Sequence, residues 1–210
     1  METFTRESLP EECRKLAAQD KQLESIIDRC GYPDFWHRDP GFPALVHIIL
    51  EQQVSLASAK AAYDKLASAV NEVTPDAILA LSDDDLRGCG FSRQKSRYVR
   101  DLSSRVASGE LDVDGLAALP DDEVRRRLTT VVGVGDWTVD VYLLLSLHRL
   151  DVFAPGDLAV VRAMTDLGFI QKGASKEVAL EAAERFRPRR SIFAMLLWRF
   201  YLEACEVPSS

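Results

Sequence analysis

Leu128-Thr-Thr-Val-Val-Gly133-Val-Gly135-Asp-Trp137-Thr-Val139 is the stretch that decides the fold of this chain. It lies between two segments, 121–130 and 136–147, whose apolar residues recur at helical spacing. A helix ends, a short turn carries two glycines with one residue between them, and a second helix begins at once. Glycine tolerates positive φ and has no Cβ, so an anion can approach the backbone closely there. The unpaired N–H groups at the start of the second helix then point at that anion. A Gly-x-Gly turn is equally a plain tight connection between helices, so alone it fixes only a helical hairpin.

Helical periodicity continues on both sides, and no alternating apolar and polar run is flanked by turn signals, which predicts an all-α fold. Helices are expected over 10–19, 21–30, 43–53, 55–71, 75–81, 83–88, 92–108, 121–130, 136–147, 157–167, 175–186 and 189–204. Thr74-Pro75 places a capping hydroxyl before a proline at a first helical position, Ser82 stands three residues before Asp85, and Ser92 caps the helix after Gly90-Phe91. Breaks are expected at Gly31-Tyr-Pro33, at Asp39 to Pro43, at Gly88-Cys-Gly90, at Ala154-Pro-Gly156 and at Gly173. Without a repeat or long linker, a second lobe requires the chain to leave and return.

The 210 residues are 47% hydrophobic and 28% charged, which excludes a disordered or low-complexity chain. No apolar run reaches the roughly 18 residues of a membrane span, and METFTRESLPEECRK lacks the apolar stretch of a signal peptide. A cytoplasmic protein of bacterial type, with no membrane partner, is expected. Cys13, Cys30, Cys89 and Cys205 are scattered, so neither a zinc site nor an iron–sulfur cluster is written here, and buried thiols are expected. The net charge of −7 points away from nucleic acid, yet more than half of the 26 basic residues fall in three segments, 87–105, 125–127 and 185–199. Such segments are either solvated helix faces or one phosphate-facing surface.

About twenty residues after the hairpin comes Val152-Phe-Ala-Pro-Gly156-Asp157-Leu, a second Gly/Pro turn that ends in a carboxylate at a helix start. An Asp in that place is an ordinary N-cap. The combination with the hairpin is what carries further. Together with Ile49-Leu-Glu-Gln-Gln-Val-Ser55 and Arg187-Pro-Arg-Arg-Ser-Ile-Phe-Ala-Met-Leu-Leu-Trp198, these segments resemble, in order, the helix-hairpin-helix (HhH-GPD) DNA glycosylases, and within them the AlkA-like DNA-3-methyladenine glycosylase II branch. The resemblance spans roughly 42–204.

The resemblance implies a two-lobe helical fold with the active site in the cleft between lobes and no N-terminal β domain. Residues 1–41 with about 151–210 would form one lobe and 42–150 the other. It implies that Asp157 is the catalytic carboxylate, a fixed anion for the positive charge that develops on the sugar as the base leaves, kept ionised by the helix N-terminus beside it. A stacked base must first be flipped into a pocket. Cationic alkylpurines suit aromatic walls, and Trp137 and Trp198 align with pocket positions, although both could equally be core aromatics. Tyr142 is a weaker third, since the related tyrosine would fall at Val141. Gln53 is implied as the wedge that fills the vacated stack and Gln52 as pocket rim. Gly133, Val134, Gly135 and Thr138 would meet the phosphate backbone, and the carbonyls of Thr129, Val131 and Val134 would hold a structural K⁺ or Na⁺, with no other cofactor required. Glu51 stands where many relatives have Gly, and its spacing from His47 allows a helix-surface pair; His47 is given no catalytic role.

Bifunctional members of the superfamily carry a lysine nucleophile where this chain has Trp137, and Trp cannot form a Schiff base. Monofunctional hydrolysis of 3-methyladenine- and 7-methylguanine-type bases from double-stranded DNA is therefore expected, leaving an abasic site and needing no protein partner. Preference for hypoxanthine, uracil or etheno adducts would keep every motif named. A non-catalytic DNA-binding hairpin module is the alternative from another class, and Asp157 argues against it. An unrelated helical interaction protein would lack salt-sensitive DNA binding.

Overall fold

The computed structural model describes residues 1–206, with side chains through Glu203. Its helices are α1 (Leu9–Ala17), α2 (Lys21–Cys30), α3 (Phe42–Glu51), α4 (Leu56–Val70), α5 (Pro75–Ala80), α6 (Asp83–Gly88), α7 (Arg93–Ala107), α8 (Asp121–Leu128), α9 (Asp136–Leu145), α10 (Leu158–Asp166), α11 (Lys176–Glu184) and α12 (Arg190–Glu206). A 3₁₀ turn at Asp114–Ala118 was not expected, because five residues are too few to display a period; its Leu116 is fully buried. The caps follow the sequence: Thr74, Ser82 and Ser92 each take an amide of the first turn, and Ser82 with Asp85 closes a capping box. Among the described residues no strand forms, and no helix is long and apolar enough to cross a membrane.

The chain divides into two compact units, Met1–His37 with the segment from Leu143 onward, and Arg38–Tyr142. The second crossing lies inside α9 and not after residue 150. The backbone explains why. Phe4 N–H donates to the His148 carbonyl and Leu150 N–H to the Glu2 carbonyl, each at 3.0 Å, so 148–150 pairs with the N-terminus around a Thr3–Arg149 bridge.

In the first unit α12 is the central helix, with Ile192 through Leu197 all at 0% exposure. It is apolar on every side because α1, α2, α10 and α11 all pack on it. In the second unit α3 has that place: Leu45, Val46, Ile48 and Ile49 are fully buried, and α4 and α7 pack against it. Cys13, Cys30 and Cys89 are buried free thiols, Cys13 pushed up to about 12 chiefly by its burial; Cys205 lies outside the described side chains.

Within the first unit His37 Nδ1 and His148 Nε2 share a hydrogen bond of 2.8 Å beside Phe35. Burial, and then the neighbouring imidazole, push His148 down to about 4. Its folded value thus lies below that of the unfolded chain, near 6.5, and between these values the unfolded state binds more protons. Stability is expected to fall as pH drops from about 6.5 to 4. Urea midpoints across that range check this, and His148→Asn should flatten the fall, since Asn tolerates the residue's φ of +48°.

Candidate functional site

Asp157 caps α10. One carboxylate oxygen, Oδ1, accepts from the Ala159 and Val160 amides and from the indole Nε1 of Trp198, all at 3.0 Å. The N-cap reading is therefore met, and the same half-buried side chain also binds the Trp198 indole. The turn before it is closed by Asp157 N–H donating to the Ala154 carbonyl. The segment leading in is pinned by α12: Ser191 Oγ donates to the Arg149 carbonyl at 2.6 Å and accepts from Val152 N–H at 2.9 Å. Arg190 grips Asp151 at 2.9 Å. Ser191 and Trp198 are seven residues apart, two turns along one helix face, so a single face of α12 holds both ends of the 149–157 segment. That is why the two distant motifs, at 155–158 and 187–198, work as one.

Trp198 was expected as a pocket wall. Its indole N–H is committed to the carboxylate, and its ring is met edge-on by Trp36 at 5.9 Å, a residue to which the sequence attached no signal because it lies in an irregular stretch. Lys176, the first residue of α11, was also missed; its side chain lies over Gly156, where a Cβ would come within 3.1 Å of its ammonium nitrogen.

In the second unit the hairpin between α8 and α9 is braced from three sides. Gln52 Nε2 donates to the Gly133 carbonyl at 2.9 Å and to Thr138 Oγ1 at 3.0 Å. Asp101 of α7 accepts the Val132 N–H at 2.8 Å and Arg105 Nε at 3.0 Å. Burial pushes the Asp101 carboxyl up, but those two hydrogen bonds prevail and hold it below the usual range. Arg125 ties the two helices together by pairing with Asp136 at 2.8 Å and with Asp140. Gly133, at φ +82°, lies against the ring of Tyr98, into which a Cβ would run; around Gly135 there is open space. Among the described residues no acceptor takes the Gly133 or Gly135 N–H.

Three sequence-based assignments change. Gln52 is no free rim group, since its amide clamps the hairpin. Thr138 is 1% exposed and its hydroxyl faces Gln52, so its side chain cannot reach a DNA strand. Tyr142 is fully buried; its hydroxyl accepts the Gly41 N–H, and burial pushes it up to about 12, so it is a core residue and no pocket wall. Gln53, by contrast, is exposed in the turn after α3 with φ +57°, a conformation rare for a residue with a side chain and concentrated at functional positions. It ends α3 at Glu51, two residues before the expected end. Val134 is mostly buried and its N–H closes the turn onto the Val131 carbonyl; Trp137 is half-buried in the first turn of α9, and Thr129 is exposed. Glu51 makes a largely buried ion pair with Arg38 at 2.8 Å and, at the i,i+4 spacing, also lies 3.9 Å from His47 Nε2, whose ring stacks on Tyr63. Gln52→Ala is expected to cost about 1–3 kcal/mol, because it strands the buried Thr138 hydroxyl and frees the hairpin. A lowered urea midpoint at unchanged slope checks this.

The three basic segments do not form one uncompensated surface. Arg126 and Arg127 pair with Glu123, Arg185 with Asp20, Arg187 with Glu184, Arg189 with Glu12 and Arg199 with Glu203. Most of these acids lie a turn away on the same stretch of chain; for Arg185 and Arg189, folding brought Asp20 and Glu12 from the N-terminal helices.

The model of a family described as HhH-GPD superfamily base excision DNA repair protein matches residues 46–188. A DNA-3-methyladenine glycosylase of Schizosaccharomyces pombe is 29% identical over 162 residues, covering 75% of this chain and 71% of that protein. One from Bacillus subtilis is 25% identical over 181 residues, covering 80% and 58%. The chain thus spans little more than half to about 70% of these relatives. The solved Schizosaccharomyces pombe 3-methyladenine DNA glycosylase in complex with abasic DNA superposes with a TM-score of 0.83 at 26% identity, over 90% of this chain and 95% of that one.

Proposed function

The chain belongs to the HhH-GPD superfamily of base excision DNA repair proteins, and from that premise we propose that it is a monofunctional DNA glycosylase that flips out alkylated purines of the 3-methyladenine and 7-methylguanine type and hydrolyses them from double-stranded DNA. The observation that carries this reading is the Asp157 carboxylate, held by three N–H donors at the start of α10 directly after the Pro155-Gly156 turn. The C1′–N bond breaks with its electron pair leaving on the base. Positive charge then grows on the sugar, where a fixed anion stabilises it, and a water oxygen bonds to C1′ and passes one proton to the surrounding solvent, leaving the sugar's C1′ hydroxyl and a neutral free base. An alkylated purine is already cationic, so the departing base needs little further help.

The hairpin supplies the grip on the strand. The unengaged amides of Gly133 and Gly135 and the first turn of α9 suit a phosphate oxygen, and the exposure of Gln53 and its φ of +57° support its reading as the wedge. The carbonyls of Thr129, Val131 and Val134 offer neutral oxygens that suit K⁺ or Na⁺; Val131 already accepts the Val134 N–H, which leaves one of its lone pairs for an ion. Such an ion would add positive charge beside the phosphate. Trp137, where a lysine would be needed for strand cleavage, supports hydrolysis alone.

Duplexes with a single 7-methylguanine, hypoxanthine, uracil or ethenoadenine test the substrate class. Release of the methylated base alone, or fastest, is expected; faster release of a neutral base would overturn it. Trp198→Phe keeps an aromatic ring and removes the N–H that positions Asp157. A loss of roughly ten-fold in single-turnover base release is expected, the equivalent of one charge-assisted hydrogen bond, with duplex affinity unchanged.

A further inference from the structure

Helix α7 presents two different faces. Tyr98 and Asp101, three residues apart, brace the hairpin. Arg93, Arg97 and Arg100, at spacings of four and three, share another face, and with Arg87 of α6 they line a groove of about 360 Å³ whose floor includes Phe91. Asp83 also lines it, but is taken by Arg100 at 2.9 Å; Arg87 pairs on the rim with Asp84 at 2.8 Å. Arg93 and Arg97 are exposed, and neither has an acid within ion-pair distance among the described residues. Arg97 instead lies 5.6 Å from the centre of the Tyr98 ring, the ring that abuts Gly133. The pattern is locally costly. The first turn of a helix favours acids, and that of α7 contains none while beginning on Arg93. In a chain of net charge −7, both belong to the basic segment 87–105, whose Arg87, Arg100 and Arg105 are ion-paired, while Arg97 feels Asp101 one turn on only beyond ion-pair distance.

We infer that this arginine groove holds the phosphodiester backbone of the DNA beyond the phosphate gripped by the hairpin, with Arg93 and Arg97 as its contacts. The inference rests on the glycosylase reading for its choice of DNA. Guanidinium forks match phosphate oxygens in pairs, and the groove reaches toward the hairpin through Arg97, whose guanidinium lies over the Tyr98 ring that abuts Gly133. An acidic peptide would satisfy the charge but would owe nothing to that proximity.

The test measures duplex affinity against salt for the whole chain, with undamaged and abasic duplexes, for wild type, the double variant Arg93→Ala/Arg97→Ala, and Arg14→Ala as an exposed arginine elsewhere. Each phosphate contact contributes about 0.9 to the slope of log K on log salt. The double variant should flatten the slope by about 1.8 for both duplexes, with its melting temperature unchanged, while Arg14→Ala keeps the wild-type slope. A wild-type slope in the double variant overturns the inference, and loss of polyglutamate binding at that unchanged slope would assign the groove to an acidic partner. A wild type with no salt-dependent duplex binding would instead overturn the glycosylase reading itself.

Discussion

Asp157→Asn is expected to slow base release by at least about 10²–10³-fold, the scale on which removal of one preorganised charged or polar group acts on a developing charge. The rest of the molecule should not notice. Asn is as good an N-cap as Asp, its side-chain oxygen can accept from the same Ala159 and Val160 amides and from Trp198, and its volume is nearly the same. The urea midpoint should therefore stay within about 0.5 kcal/mol of wild type, and duplex affinity should be equal or higher, because a negative charge facing a polyanion has gone. Asp157→Ala separates the two roles of the residue. It removes the cap as well, costing about 1 kcal/mol of stability, and should be no worse than Asn in catalysis. Single-turnover base release and urea titration on the three proteins check both statements. Near-normal release by Asp157→Asn would reduce Asp157 to a helix cap.

The second large effect is at the hairpin, where two glycines two residues apart should respond in opposite ways. Gly133 has φ +82° and faces the Tyr98 ring. A valine there meets a backbone region that L side chains avoid, worth about 1 kcal/mol or more, and overpacks against an aromatic ring held by α7, worth about 1–3 kcal/mol. Gly133→Val should thus lose roughly 2–4 kcal/mol of stability, and its loss of DNA binding would follow from a displaced hairpin. Gly135 has no positive φ and nothing within 4 Å of a built Cβ. Gly135→Ala should leave the melting temperature within a few degrees of wild type and weaken binding to damaged and undamaged duplexes alike, by occupying space a phosphate would need. Adding Tyr98→Ala to Gly133→Val should recover the packing part of the cost and leave the backbone part. Selective loss of binding for one lesion in Gly135→Ala would count against a phosphate role.

Much of this molecule is legible in its sequence because its helices obey local rules. The caps at Thr74, Ser82 and Ser92, and the breaks at Gly/Pro clusters, set the helix ends from residues within a turn of them. Asp157 was legible for the same reason, as a carboxylate at a helix start. What could not be read were contacts between residues far apart in sequence. Tyr98 and Asp101 carry no motif, yet they fix the hairpin from 31 or more residues away. Gln52, Thr138 and Tyr142 carry polar groups that sequence reasoning aims at a ligand, whereas folding aimed them at each other or at backbone. The basic segments misled for a related reason. Pairs at i,i+3 and i,i+4 such as Glu123 with Arg126 and Arg127 follow from helix geometry, but Arg189 with Glu12 and Arg185 with Asp20 exist only once the chain has returned on itself.

The central claim is that this chain breaks a glycosidic bond and leaves the strand whole. Incubating it with duplex DNA treated with a methylating agent, then separating the released material by chromatography and the strands by denaturing electrophoresis, tests that claim in one experiment. Free 3-methyladenine and 7-methylguanine, with strands that stay intact until alkali cleaves them at abasic sites, are predicted. DNA that is bound but yields no free base, or strands cut without alkali, would contradict it.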